Sequence, residues 1–361
     1  MHGTGKKIGN FDFLFFLYSE VLNLILSIQI LRAIAALLVV LHHISWKCSQ
    51  FSSSNPWDWM TFGGAGVDLF FIVSGYIMCQ VSYSRENNFI VFISARIKRI
   101  IPLYWGLSFF ALVVYLLSPH LVNSSGGDTD VYSSFFLLPT KGKYLIQNGW
   151  TLRFEFLFYF IFALFLVFFK GVLHLIFTSL FICALVFIGI VFSVDGIVFE
   201  FLTSPMLFEF VFGMSVFFIF YKNFNVRFEF GILLVVLGGA LFYLSDNNWN
   251  LHRVWSWGVP ALIFFVGIRS LEAKFNSGWR SWAVWLGKLG DSSYSLYLVH
   301  PFSLAGSAIF LKKIGFSYNP FIFSFVLFFS ALISGYLCYL LLEQPLLKAF
   351  RRFSLFPGFS K

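Results

Sequence analysis

Residues 28–45 read IQILRAIAALLVVLHHIS, an apolar run that carries Arg32 near its start and His42 and His43 near its end. Its length matches the ~20 residues that cross a bilayer as one helix. A mere anchor has no use for these residues, because each ionisable side chain in hydrocarbon costs about 2–4 kcal/mol even on lenient scales. At ~100° and ~1.5 Å per residue, the spacing from Arg32 to His43 is roughly three turns plus 20°, so both share one face, about 16 Å apart along the axis. His42 points ~80° away. Such a helix suits the wall of an internal groove; the plainer alternative is that Arg32 snorkels to the headgroups and His43 is an interfacial histidine.

Similar runs recur at 62–83, 100–118, 151–169, 172–194, 201–221, 229–245, 255–268, 283–310 and 321–342. The fold class that follows is an all-α integral membrane protein of about ten transmembrane helices. Composition agrees, with 59% hydrophobic and 11% charged residues where a soluble domain has about 25% charged. The run 255–268 is the shortest and contains Pro260; without it the orientation of everything after it inverts. The inter-span segments leave no room for a soluble catalytic module of about 100 residues, so any chemistry belongs to the helices and their short loops.

The net charge of +9 comes from short basic clusters between apolar runs, which is how topology is written into membrane proteins and not a nucleic-acid footprint. With both termini cytoplasmic, seventeen Lys and Arg fall inside and seven outside, and Arg32 completes the 25. The positive-inside rule favours that orientation. Cys48, Cys79, Cys183 and Cys338 have no C-x-x-C spacing, which supports neither a disulfide framework nor a metal site. Residues 1–27 read either as an interfacial amphipathic segment or as an upstream extension from a misassigned start, since Asp12 and Glu20 interrupt the apolar core that a signal peptide needs. Residues 28–345 form the membrane domain, and 346–361 a basic cytoplasmic tail. The segment 119–150, with VNSSGGDTD, is expected to be a flexible outer loop near the acceptor's entrance.

Other ionisable groups cluster at two depths. Span two buries Asp68 and span four buries Glu155, both entering from outside to about the depth of His43. A carboxylate beside an imidazole orients it or stabilises its charged form; the alternative for either is a salt bridge to Arg153 or a helix N-terminal cap. Toward the inner surface, Arg96, Lys98 and Arg99 lie just before span three, with Pro102 in its first turn, and Glu343 and Pro345 close span ten. The basic cluster is a topology signal, an anionic-lipid contact or a grip for a phosphorylated cofactor. Span nine adds Asp291, Ser292, Ser293, Tyr294, Tyr297 and His300 in one stretch, more polar groups than serine-mediated helix packing needs.

Six stretches taken in order resemble the acyltransferase 3 family, bacterial membrane proteins that O-acylate cell-surface polysaccharides and antibiotics. They are RAIAALLVVLHH (32–43), GGAGVDLFFIVSGYIM (63–78), ARIKRIIPLYW (95–105), GWTLRFEFLFY (149–159), LGDSSYSLYLVHPF (289–302) and LLEQPL (341–346). The resemblance covers about residues 28–350. It implies donor chemistry on His43 and Arg32, acyl-CoA handling by Arg96 and Arg99, and an acidic partner at Glu155; Asp68, Tyr294, His300 and Glu343, singled out as buried polar groups, are expected in substrate-binding or supporting positions. Arg153 and Phe154 bring the Trp-Thr-Leu block closer to the exopolysaccharide acetyltransferase branch. No SGNH hydrolase-like stretch follows span ten, and the 27-residue leader departs from the family pattern.

The expected function is transfer of an acyl group, most simply acetyl, from acyl-CoA to a hydroxyl of a surface polysaccharide or its lipid-linked precursor, in the bacterial cytoplasmic membrane and among its lipids. Acyl-CoA is then a donor substrate, and no permanent cofactor is implied. His43 acts either as the base for the sugar hydroxyl or as a nucleophile that briefly holds the acyl group, with Glu155 orienting it. The main rival is a transporter or flippase of lipid-linked sugars, since buried ionisable groups serve passage equally well. A polymerase or ligase would typically carry a larger outer loop than 119–150, and a purely structural protein leaves the buried charges without a purpose.

Overall fold

A computed structural model gives the architecture of residues 25–83, 88–122, 127–192, 194–222, 226–248 and 252–352. Most of the leader, and the tail beyond residue 352, lie outside the described residues. Among those described, nine helices are long and apolar enough to cross a membrane, and Val254–Ser270 adds a shorter apolar one. We number the ten α1 (Leu26–Phe51), α2 (Gly66–Tyr83), α3 (Phe89–Leu117), α4 (Gly149–Phe168), α5 (Gly171–Val191), α6 (Leu207–Tyr221), α7 (Phe228–Asn248), α8 (Val259–Ser270), α9 (Ser293–Lys313) and α10 (Pro320–Cys338). The span that carried the weakest sequence signal is therefore a helix, preceded by a π turn at Val254–Gly258.

Helices α1 and α2 form the centre. Around α1 pack the 3-10 segment Asp58–Ala65, α2, α9, α10 and the helix Arg280–Asp291. Glycines set these distances, because helices in lipid associate by close backbone approach at small residues. A Cβ on Gly66 would stand 2.3 Å from the carbonyl oxygen of Ala35, one on Gly63 2.4 Å from that of Leu38, and one on Gly290 2.0 Å from that of Gln29. The same device joins α2 to α6, where a Cβ on Gly75 would meet Phe210 O at 2.2 Å and one on Gly213 would meet Ile72 O at 2.0 Å. The N-terminus of α1 is closed by a distant carboxylate. Leu26 N and Ser27 N donate to the two oxygens of Glu272 at 3.1 and 2.8 Å, which meets the unpaired amides and the positive end of the helix dipole.

Two expectations are corrected. Span nine, read as 283–310, is two elements: Arg280–Asp291 is an amphipathic helix with Trp282 and Trp285 exposed, and the membrane helix begins at Ser293. The apolar residues Ala283–Leu286 and Leu289 joined the two elements in sequence despite Lys288 and Asp291, and concealed the break. Helix α3 begins at Phe89, so Arg96, Lys98 and Arg99 lie inside it and Pro102 is well past its first turn. Beyond the last span, α10 runs through a π turn at Tyr339–Glu343 into the helix Gln344–Arg352.

Candidate active site

Helix α1 brings Arg32 into a cleft of about 760 Å³ between α2, α3, α4 and α9, whose lining includes Arg96, Arg99, Glu155, Tyr294 and Tyr297. Arg96 and Arg99 are three residues apart on α3, so both face the same way. Arg32 is buried, and its guanidinium donates to Gln29 Oε1 at 3.0 Å. At the floor, Arg32 and Arg99 act electrostatically on both Asp291 and Glu343. Glu343 sits in the π turn, a geometry common at functional sites, and accepts from Ser295 Oγ at 2.5 Å. Tyr294 donates its hydroxyl to Ile100 O at 2.8 Å, tying α9 to the basic helix.

Glu155 belongs to this cleft. Its Oε1 accepts from Ser74 Oγ at 2.6 Å and from Tyr159 OH at 2.5 Å, and it does not reach His43 as the sequence reading expected. Depth along two helices can be counted from sequence, but the rotation that turns Glu155 toward Ser74 cannot. Asp68 is likewise not a partner of His43. It is fully buried in the first turn of α2 and paired with Arg253, which donates from Nε at 3.1 Å and from Nη2 at 2.6 Å. Arg253 also donates to Gly64 O at 2.9 Å and lies over the rings of Trp257 and Trp150, at 4.5 and 5.8 Å. Asp68 is thus in a salt bridge, with Arg253 in place of the expected Arg153, and the fully buried Glu209 of α6 also acts on Arg253.

His43 stands outside the cleft lining, further along α1, among imidazoles. Its ring centroid is 5.1 Å from that of His300 on α9 and 5.3 Å from that of His42. His42 is anchored by Nδ1 to Thr61 O at 2.9 Å, and the fully buried His300 by Nδ1 to Leu296 O at 3.0 Å. Between the cleft and this pair, Tyr297 hydrogen-bonds Thr151 at 2.9 Å, and its carbonyl accepts from Asn148 Nδ2 at 2.6 Å. That carbonyl is the one released by Pro301, four residues on, which has no N–H to give it.

The structure therefore brings Arg32, Arg96, Arg99, Glu155 and Tyr294 together, sets Glu343 beneath them and His43 with His300 beyond, and removes Asp68 to a separate cluster. Sequence reasoning overlooked Ser74 and Tyr159 as partners of Glu155, Asn148 as the tie to α9, and Arg253 and Glu209. The serine of VSGY and the asparagine before GWTL lay inside or beside quoted blocks. Arg253 is one of the seven basic residues that the orientation places outside, where a charge reads only as topology.

Among the described residues, ten apolar helices with a cationic cleft and a histidine pair between some of them define a polytopic membrane protein with ionisable groups gathered inside it. The chain belongs to the acyltransferase 3 family, whose acyltransferase domain matches residues 25–340, and it is a membrane acyltransferase. It is 33% identical over 303 residues to the exopolysaccharide production protein ExoZ of Rhizobium meliloti, which covers 80% of this chain and 90% of the relative. It is also 30% identical over 157 residues to the putative peptidoglycan O-acetyltransferase YrhL of Bacillus subtilis, across 38% of this chain and 23% of that one. No solved structure matches the chain.

Proposed function

We propose that the protein transfers an acetyl group from acetyl-CoA to a hydroxyl of an exopolysaccharide or its lipid-linked precursor, in the bacterial cytoplasmic membrane with both termini cytoplasmic. The convergence of Arg32, Arg96 and Arg99 on one cleft is the observation that carries this reading. Guanidinium forks match phosphate oxygens, and CoA carries its phosphates at the end remote from the thioester. Arg96 and Arg99 grip the phosphates, and Arg32 guides the pantetheine arm along α1 toward His43. Glu155, held by Ser74 and Tyr159, shapes the donor cleft in this scheme and does not orient the histidine. His43 either removes the proton from the acceptor hydroxyl as its oxygen attacks the thioester carbon, or attacks first and holds the acetyl group. The first route gives ternary-complex kinetics, the second ping-pong kinetics and a labelled enzyme.

The identity to an exopolysaccharide production protein over most of both chains supports a polysaccharide acceptor. Mass spectrometry of surface polysaccharide from cells with and without the gene tests the whole reading. An acetyl ester present only with the protein, and lost with His43→Ala, is the expected result. An unchanged polysaccharide, or undiminished transfer by His43→Ala, overturns it.

A further inference from the structure

Both imidazoles that flank His43 are fixed in one tautomer. A carbonyl oxygen can only accept, so the Nδ1 of His300 against Leu296 O and the Nδ1 of His42 against Thr61 O must each carry the proton. When neutral, each ring then presents a bare Nε2. That of His42 lies on the more exposed side. That of His300 is fully buried and has no hydrogen-bond partner. A buried nitrogen lone pair without a donor is costly, and its ring neighbours include His43, at a centroid separation of 5.1 Å. An N–H···N bond of about 2.9 Å between two imidazoles brings their centroids to roughly this separation, so a small ring rotation completes it. Such contacts are often loose before substrate binds and tighten in the reacting complex.

We propose that His300 is the positioning residue for His43: its bare Nε2 accepts a hydrogen bond from one ring nitrogen of His43, leaving the other nitrogen as the lone pair that faces the acceptor hydroxyl. His300 has this role only with His43 as the reactive group, as proposed above. As the hydroxyl oxygen bonds to the acyl carbon, its proton passes to the free nitrogen of His43. The carbon–sulfur bond breaks, the proton moves from His43 to the departing thiolate, and His300 ends unchanged after holding the imidazolium through the transfer. In the acyl-histidine route the same bond selects which nitrogen is acylated. A neutral imidazole thus fills the place for which the sequence had suggested a carboxylate, and the other titratable groups near His43 are His42 and Lys47 of its own helix.

Two substitutions separate the nitrogens of His300. In His300→Asn the amide keeps the bond to Leu296 O and loses the acceptor toward His43; in His300→Gln the amide oxygen reaches the Nε2 position. Membranes from polysaccharide-producing cells are supplied with radiolabelled acetyl-CoA, and incorporation into polysaccharide is followed. The expected result is a kcat lowered about 100-fold by His300→Asn with KM for acetyl-CoA unchanged, and recovery to within about tenfold of the parent in His300→Gln. His300→Met, which fills the volume with neither nitrogen, replaces the Asn variant if that one fails to accumulate. Full kcat in the Asn or Met variant, or equal losses in Gln and Asn, overturns the assignment of His300. His43→Ala is assayed alongside: if it is inactive while His300→Asn is unimpaired, only the positioning role falls, whereas activity in His43→Ala overturns the reading of His43 itself.

Discussion

Arg253 and Asp68 are 185 residues apart in sequence and joined by two charge-assisted hydrogen bonds. Removing one member of a buried pair leaves the other charged and desolvated, at a cost of about 3–5 kcal/mol. Arg253→Gln is therefore expected to lower the thermal unfolding midpoint in detergent strongly, and adding Asp68→Asn to recover a large part of the loss. Additive losses in the double variant would show that the two side chains act independently. Residues are also where sequence reading reached its limit. Arg32 and His43 could be placed on one face from spacing alone, since both lie on one continuous helix. Asp68 could not be given its partner, nor Glu155 its two hydroxyl donors, because those contacts depend on how separate helices rotate against each other.

The helices themselves were largely legible, because a span of apolar residues has one way to satisfy its backbone in lipid. Their interruptions were not. Apolar residues continue on both sides of Lys288 and Asp291 through 283–310, although the chain turns at Asp291–Ser292 between an amphipathic helix and α9. Within α9, Pro301 frees the Tyr297 carbonyl and Asn148 supplies the missing donor from another element. Asn148→Ala should strip that carbonyl of its amide donor, leaving only the nearby His300 ring to meet it, and destabilise the protein by about 1–3 kcal/mol. In an Asn148→Ala, Pro301→Ala double variant the new Ala N–H can close the helical bond, and stability should return toward the parent. A double variant no more stable than Asn148→Ala, in the same unfolding assay, would rule out this compensation.

At the scale of the whole molecule, the proposed orientation puts the cationic cleft toward the cytoplasm and the 127–148 segment outside. Cysteines introduced at Asp128 and Ser277, in a background with Cys183 replaced by alanine, test it in spheroplasts. An impermeant maleimide is expected to label the first directly and the second only after lysis; the opposite pattern inverts the molecule. The glycine contacts that fasten α1 carry a further meaning here. With the backbone carbonyls of Gln29, Ala35 and Leu38 each against a neighbouring glycine, α1 has no slack in which to slide or turn. It is a fixed gauge, with its arginine mark near one end and its histidine mark near the other. Carriers that ferry a solute rock one half of the protein against the other. Here the scale stays still, and in the proposed scheme what travels between its marks is the flexible arm of the donor.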